Sequence, residues 1–185
     1  MAAVNALIRL RMASEHAPRI PEVTAHLIEA GGKRLRPLFA YAGFAATGKV
    51  ANAADIRAFT SLELLQACAL IHDDLMDRSD TRRGKPAIHR HFENLHQSSA
   101  MNGLATQFGE AAAVLLGDLA LVWSDQMLNS AGLTTEQFAS VIPYYNEMRV
   151  ELMAGQFLDI HEQTQKSTSV DRSMKIARYK SGKYT

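Results

Sequence analysis

Three carboxylates stand out in this 185-residue sequence: Asp73, Asp74 and Asp77, at the end of the segment SLELLQACALIHDDLMD spanning Ser61 to Asp77. On a helix, Asp73 and Asp77 are four residues apart and stand one above the other, separated by about 6 Å along the axis. Two carboxylates so placed repel unless a cation lies between them. Oxygen donors with room for water and phosphate suit Mg²⁺. Asp74 turns away by about 100°, which leaves it to support the metal indirectly or to orient its neighbours. The alternative is a solvated acidic turn, although acids at a helix C-terminus oppose the helix dipole. The surroundings favour chemistry: Leu64 to Ile71 is largely apolar, and Arg82-Arg83-Gly84-Lys85 follows closely. Guanidinium forks and an ammonium group are the cations that bind diphosphate. Carboxylates for a metal beside cations for phosphate make a diphosphate site.

A second basic cluster lies upstream, Gly31-Gly32-Lys33-Arg34-Leu35-Arg36-Pro37. Its glycines let backbone approach an anion, and the following helix N-terminus favours negative charge. Taken alone it also reads as a solvated cap between two helices.

These groups need helices to hold them. Leu, Ala, Met and Gln are abundant, and alternating β-branched runs are nearly absent. The pattern predicts helices at 2–16, 22–30, 36–48, 53–77, 97–107, 110–130, 135–163 and 170–182. Pro21 and Pro37 suit first-turn positions. Thr134 with Gln137 forms a capping box after the stop at Gly132, and Pro143 should kink or restart its helix. The main irregular stretch is Arg78 to His91. The fold class is all-α, an antiparallel bundle in a single domain.

Composition narrows the function. A net charge of +1 provides no argument for nucleic acid or an anionic membrane. The single cysteine, Cys68, excludes an internal disulfide framework and fits a reducing compartment. The N-terminus reads as an amphipathic helix and not a signal peptide. The longest apolar stretch, Ala111 to Trp123, is shorter than the roughly 20 residues a span needs. A cytoplasmic protein without membrane insertion is the expectation.

Together these segments resemble the trans-isoprenyl diphosphate synthase (polyprenyl synthetase) family, from about Ile20 to the last residue. GGKRLRP at 31–37 is similar to the family's isopentenyl diphosphate motif. DDLMD at 73–77 with Arg82 and Arg83 is similar to its first aspartate-rich motif, and GQFLD at 155–159 and YKSGKYT at 179–185 to two later segments. The resemblance implies the isoprenoid synthase fold and a Mg²⁺-dependent prenyltransferase that joins isopentenyl diphosphate to an allylic diphosphate. It implies that Lys33, Arg36, Gln66 and Arg83 hold isopentenyl diphosphate; many bacterial relatives have histidine in place of Gln66. It further implies that Asp73 and Asp77 ligate Mg²⁺ with Asp74 in support, and that Arg82 and Lys180 contact the allylic diphosphate. Gln156 and Asp159 would face the reacting end of the allylic chain. Ser181 stands where the family usually has threonine.

The helix also carries a size argument. Each turn below Asp73 descends about 5.4 Å, close to one isoprene unit. An aromatic at position 68 or 69 would block a growing tail, as in relatives that stop at fifteen carbons. Cys68 and Ala69 are small, which favours a C20 product and leaves C40–C50 products open. The same two residues also read as helix–helix packing positions. The family's second aspartate-rich motif does not occur, so a chain truncated before that motif, inactive or very weak alone, is expected. The complete enzyme would be a homodimer. Two other readings remain open: a non-catalytic subunit partnering a complete synthase, and a class I terpene cyclase, against which the 31–37 motif and the Arg82-Arg83 pair argue.

Overall fold

A computed structural model describes residues 31–165 and 169–183. The expected helices at 2–16 and 22–30, with Pro21, lie outside those residues. The chain groups into two compact units, Met1–Gly132 and Leu133–Thr185, and each is described by itself.

The described part of the first unit runs α1 (Leu35–Ala46), α2 (Ala53–Met76), a two-stranded hairpin of β1 (Thr81–Arg82) and β2 (Lys85–Pro86), α3 (Ile88–Ser98) and α4 (Ala105–Asn129). Helix α2 begins at a capping box: the Asn52 side chain accepts from the amides of Ala54 and Asp55, and the Asp55 carboxylate accepts from the Asn52 amide. It packs along α4 through Leu64, Ala67 and Cys68 against Ala120, Trp123 and Met127. One turn further on, Ile71 meets Ile88 and Phe92 of α3 and Ala113 and Leu116 of α4. Each large aliphatic or aromatic side chain so buried stabilises the unit by roughly 1.5–3 kcal/mol. A buried hydroxyl ties the two helices, Ser124 Oγ donating to the Ser61 carbonyl at 2.8 Å.

The sequence placed α3 incorrectly, as irregular chain to His91 and then a helix at 97–107. The structure has a helix at Ile88–Ser98, a break, and α4 from Ala105. The reason is chemical. The buried positions of α3 are Ile88, His89, Phe92 and His96, a helical stripe half made of histidines, which a search for apolar periodicity misses. The break carries two residues of positive φ, Ala100 at 49° and Gly103 at 96°. Helix α4 is 25 residues long and apolar enough by composition to cross a bilayer, unlike the shorter run read from sequence. Its buried face is the one that packs on α2 and α3.

The second unit comprises α5 (Thr135–Gln163), α6 (Val170–Ala177) and a π-turn, Arg178–Gly182. The expected Thr134–Gln137 capping box is present. Helix α5 runs through Pro143 without restarting. The predicted helix at 170–182 is split, its last turn widening into the π-turn.

Candidate active site

The aspartates sit where α2 stops. The Asp77 amide donates to the Asp73 carbonyl at 2.8 Å, so the helical turn between them is intact and both carboxylates rise from one face. The helix ends in a Schellman arrangement: the Ser79 amide bonds the Asp74 carbonyl at 2.8 Å and the Arg78 amide that of Leu75 at 3.2 Å. Arg78 takes the left-handed position, φ 53°, that glycine usually fills. Asp77 is exposed and Asp73 half-buried, whereas Asp74 is only 2% exposed.

Asp74 has a different employment from its neighbours. Arg82 Nε lies 2.9 and 3.0 Å from its two carboxylate oxygens, and Arg82 Nη2 also donates to it. The same Nη2 reaches Asp73 Oδ2 at 3.4 Å. The hydrogen bonds to Asp74 hold the guanidinium above its ordinary pKa. Asp74 is therefore the residue that seats Arg82 beside Asp73.

The hairpin splits the two arginines between two sites. Arg83 and Gly84 form its turn, both at positive φ (54° and 75°), the requirement of a two-residue type I′ connection. Arg82 goes to the aspartates. Arg83 lies across the Gly31-Gly32 backbone, donating to the Gly31 carbonyl. Gly32 is at φ 130°, a conformation residues with side chains rarely adopt, and a Cβ there would sit 2.7–3.0 Å from the Arg83 guanidinium atoms and displace them. A cavity of about 90 Å³ opens beside it, lined by Lys33, Arg34, Leu35, Arg36, Glu63, Gln66 and Arg83. Burial and, after it, the nearby Arg34 charge push the Arg83 pKa down. Gln66 Oε1 is buried there without a hydrogen-bond partner. The first turn of α1 adds its positive dipole end at the same place.

Thus all four residues predicted for one diphosphate, Lys33, Arg36, Gln66 and Arg83, line one cavity, and Asp73, Asp74, Asp77 and Arg82 form the adjoining group. Among the described residues no three His, Cys, Asp or Glu side chains converge as a metal cage. Two carboxylates one turn apart, one of them exposed, fit Mg²⁺, which keeps water and substrate phosphate as its remaining ligands. Cys68 is fully buried in the α2–α4 core, and its Sγ is 3.8 Å from His72 Nδ1. Ala69 is half-buried. His72 packs on Gly117, its Nε2 3.2 Å from the Val114 carbonyl, which makes it a packing neighbour of the aspartates.

In the second unit Lys180 Nζ lies 2.6 Å from Asp159 Oδ2. Lys183 pairs with Glu151, and Arg172 Nε lies 2.9 Å from Glu162 Oε2. Gly155 allows this: a Cβ there would meet the Lys180 backbone nitrogen at 2.4 Å and the Tyr179 carbonyl carbon at 2.7 Å. Gln156 is half-buried one residue further on. Glu63, Arg34 and Gly155 have roles in these sites that sequence reasoning missed. Glu63 precedes Gln66 by three residues, so it shares a helix face with it, and an acid in an apolar helix was the available signal.

The chain matches the polyprenyl synthetase family over residues 17–185. It is 28% identical over 159 residues to the geranylgeranyl diphosphate synthase of Methanosarcina mazei, covering 86% of this chain and 44% of that protein. Among solved structures it resembles the geranylgeranyl pyrophosphate synthase of Corynebacterium glutamicum complexed with isoprenyl diphosphate and magnesium: TM-score 0.88, 37% identity, 100% of this chain and 56% of that one. A decaprenyl diphosphate synthase from Rhodobacter capsulatus gives TM-score 0.73 and 34% identity, covering 100% of this chain and 50% of that one. The chain spans about half the length of the curated relatives it matches. With the motifs, the all-α fold and the family match in agreement, the chain belongs to the polyprenyl synthetase family.

Proposed function

We propose that this chain carries the substrate-binding half of a Mg²⁺-dependent trans-prenyltransferase that adds isopentenyl diphosphate to an allylic diphosphate. The observation that carries this is the hairpin at Arg82-Arg83. Adjacent arginines serve two anion sites, one beside the aspartate pair and one in the Lys33–Arg36–Gln66 cavity. A condensation needs two diphosphates held apart yet with their chains side by side, and adjacent residues set that spacing. Bound Mg²⁺ supplies charge neutralisation for the departing diphosphate. Arg82, seated by Asp74 beside Asp73, would add its guanidinium charge there. Lys180, paired with Asp159 in the second unit, is a further cation of the kind that contacts a diphosphate. Loss of diphosphate leaves an allylic cation, the double bond of isopentenyl diphosphate attacks it, and a proton leaves. No nucleophilic side chain is needed.

The finer readings rest on the same residues. Small side chains at 68 and 69 support a C20 product. The apolar side chains exposed on α4, Leu115 and Val122 among them, support a homodimer, and the cytoplasm is the proposed location. A non-catalytic subunit that partners a complete synthase is the second reading. Calorimetric titration with isopentenyl diphosphate, and separately with inorganic pyrophosphate plus Mg²⁺, tests the sites. Asp73→Ala and Asp77→Ala should remove the Mg²⁺-dependent part of pyrophosphate binding while leaving isopentenyl diphosphate affinity unchanged. Equal loss of both would sink the two-site reading. Turnover by the chain alone, against turnover only with a full-length synthase added, separates enzyme from subunit.

A further inference from the structure

The cationic cavity contains a carboxylate that charge alone does not explain. Lys33, Arg34, Arg36 and Arg83 line it, and so does Glu63, which is 7% exposed on the face of α2 that also bears Gln66. A buried carboxylate beside a site for an anion weakens anion binding by repulsion. Its structural partner shows what offsets this. Glu63 pairs with Arg34, the residue that caps the start of α1.

Arg34 is held at φ 51°, a left-handed conformation that is unfavourable for a non-glycine residue. Gly31 and Gly32 before it are also at positive φ, 97° and 130°. Residues 31–34 have no regular structure of their own, so contacts must hold their path. Among the described residues, Arg83 on the Gly31 carbonyl and Glu63 on the Arg34 guanidinium are two that do. The first anchors the entry of the loop and the second its exit. Because Arg34 is the cap, fixing it sets where the first turn of α1, with Arg36, is aimed.

Resting on the reading of the cavity as a diphosphate site, we propose that Glu63 and Arg34 are a positioning pair that holds the 31–34 loop so that Lys33 and Arg36 meet the diphosphate. Arg34 is then an anchor and not a ligand, and the basic residues of this loop have two different jobs.

The pair makes a prediction opposite in sign to simple charge counting. Chains of all 185 residues carrying Glu63→Gln, Arg34→Gln and both are titrated with inorganic pyrophosphate and with isopentenyl diphosphate, and their helix content and melting are recorded. Each single change should weaken binding by about tenfold, and the double change should weaken it no further, because the two act as one unit. Tighter or unchanged binding by Glu63→Gln overturns the proposal, as does a double variant whose loss is the product of the singles. Arg34→Lys keeps the charge without the guanidinium geometry. Weaker pyrophosphate binding with unchanged melting supports the pair, and unchanged affinity overturns it. If the unaltered chain binds pyrophosphate but not isopentenyl diphosphate, the substrate assignment falls and the cycle on pyrophosphate still decides the pair. If it binds neither, both readings fall.

Discussion

Replacing Gly155 by alanine adds one carbon where the backbone of the π-turn already lies. The new Cβ would be 2.4 Å from the Lys180 nitrogen and 2.8 Å from its Cα, against about 3.5 Å for ordinary contact. These neighbours are all backbone atoms, so no rotamer change relieves the clash, and the π-turn must retreat by about 1 Å. Lys180 Nζ is 2.6 Å from Asp159 Oδ2; the same displacement carries that pair to about 3.6 Å, beyond hydrogen-bonding range. Overpacking of this kind costs about 1–3 kcal/mol. Urea denaturation monitored by circular dichroism measures it, with Asp159→Asn as the companion change. The two losses should be less than additive, because Gly155→Ala already breaks the pair that Asp159→Asn removes. A Gly155→Ala chain within about 0.5 kcal/mol of the original, or fully additive losses, would refute the reasoning.

Three further outcomes concern the first unit. Asp74→Asn should cost about 2 kcal/mol in denaturant, less than the roughly 3–5 of a fully buried pair because the Arg82 side chain keeps 30% exposure; a change under about 0.5 kcal/mol would show that Arg82 does not depend on Asp74. Arg78→Gly should stabilise the chain by about 0.5 kcal/mol by relieving its φ of 53°, read as a raised urea midpoint. Burial and then the Asp118 charge push the Cys68 thiol up from 9.0 to about 12. A raised folded-state pKa contributes stability that is complete below about pH 9 and is lost as pH climbs toward 12. Native Cys68 should therefore resist thiol reagents at about pH 8 and react on unfolding, and a Cys68→Ala chain should lose less stability between about pH 9 and 11.

Much of the site was legible because it is local. Asp73, Asp77, Arg82 and Arg83 lie within a few residues of one another, and residue type with helical spacing carries their meaning. The starts of α2 and α5 were legible for the same reason, since Asn52 and Thr134 cap the turns immediately after them. Helix α3 was not, because His89 and His96 are buried but are polar by type. The hairpin escaped because two residues per strand make no periodic pattern. Glu63 escaped because its partner is 29 positions away, a tertiary fact that no window reveals. Gly155 stands inside a recognisable motif, but its reason, the backbone of a π-turn about 25 residues later, exists only in the fold.

The hairpin between α2 and α3 has a bearing on how this chain can change over generations. Surface connections generally accept added or lost residues more readily than the helices they join. This one should not. Arg82 pairs with Lys85 across a turn of two residues, so one residue added to or lost from that turn changes its type and takes Arg83 out of the left-handed conformation that lays it across the glycine loop. Arg82 would keep its strand position beside the aspartates, and Arg83 would lose its own. A segment that looks like a tolerant loop thus behaves as a ruler of fixed length, in which substitution is survivable and a change of length is not.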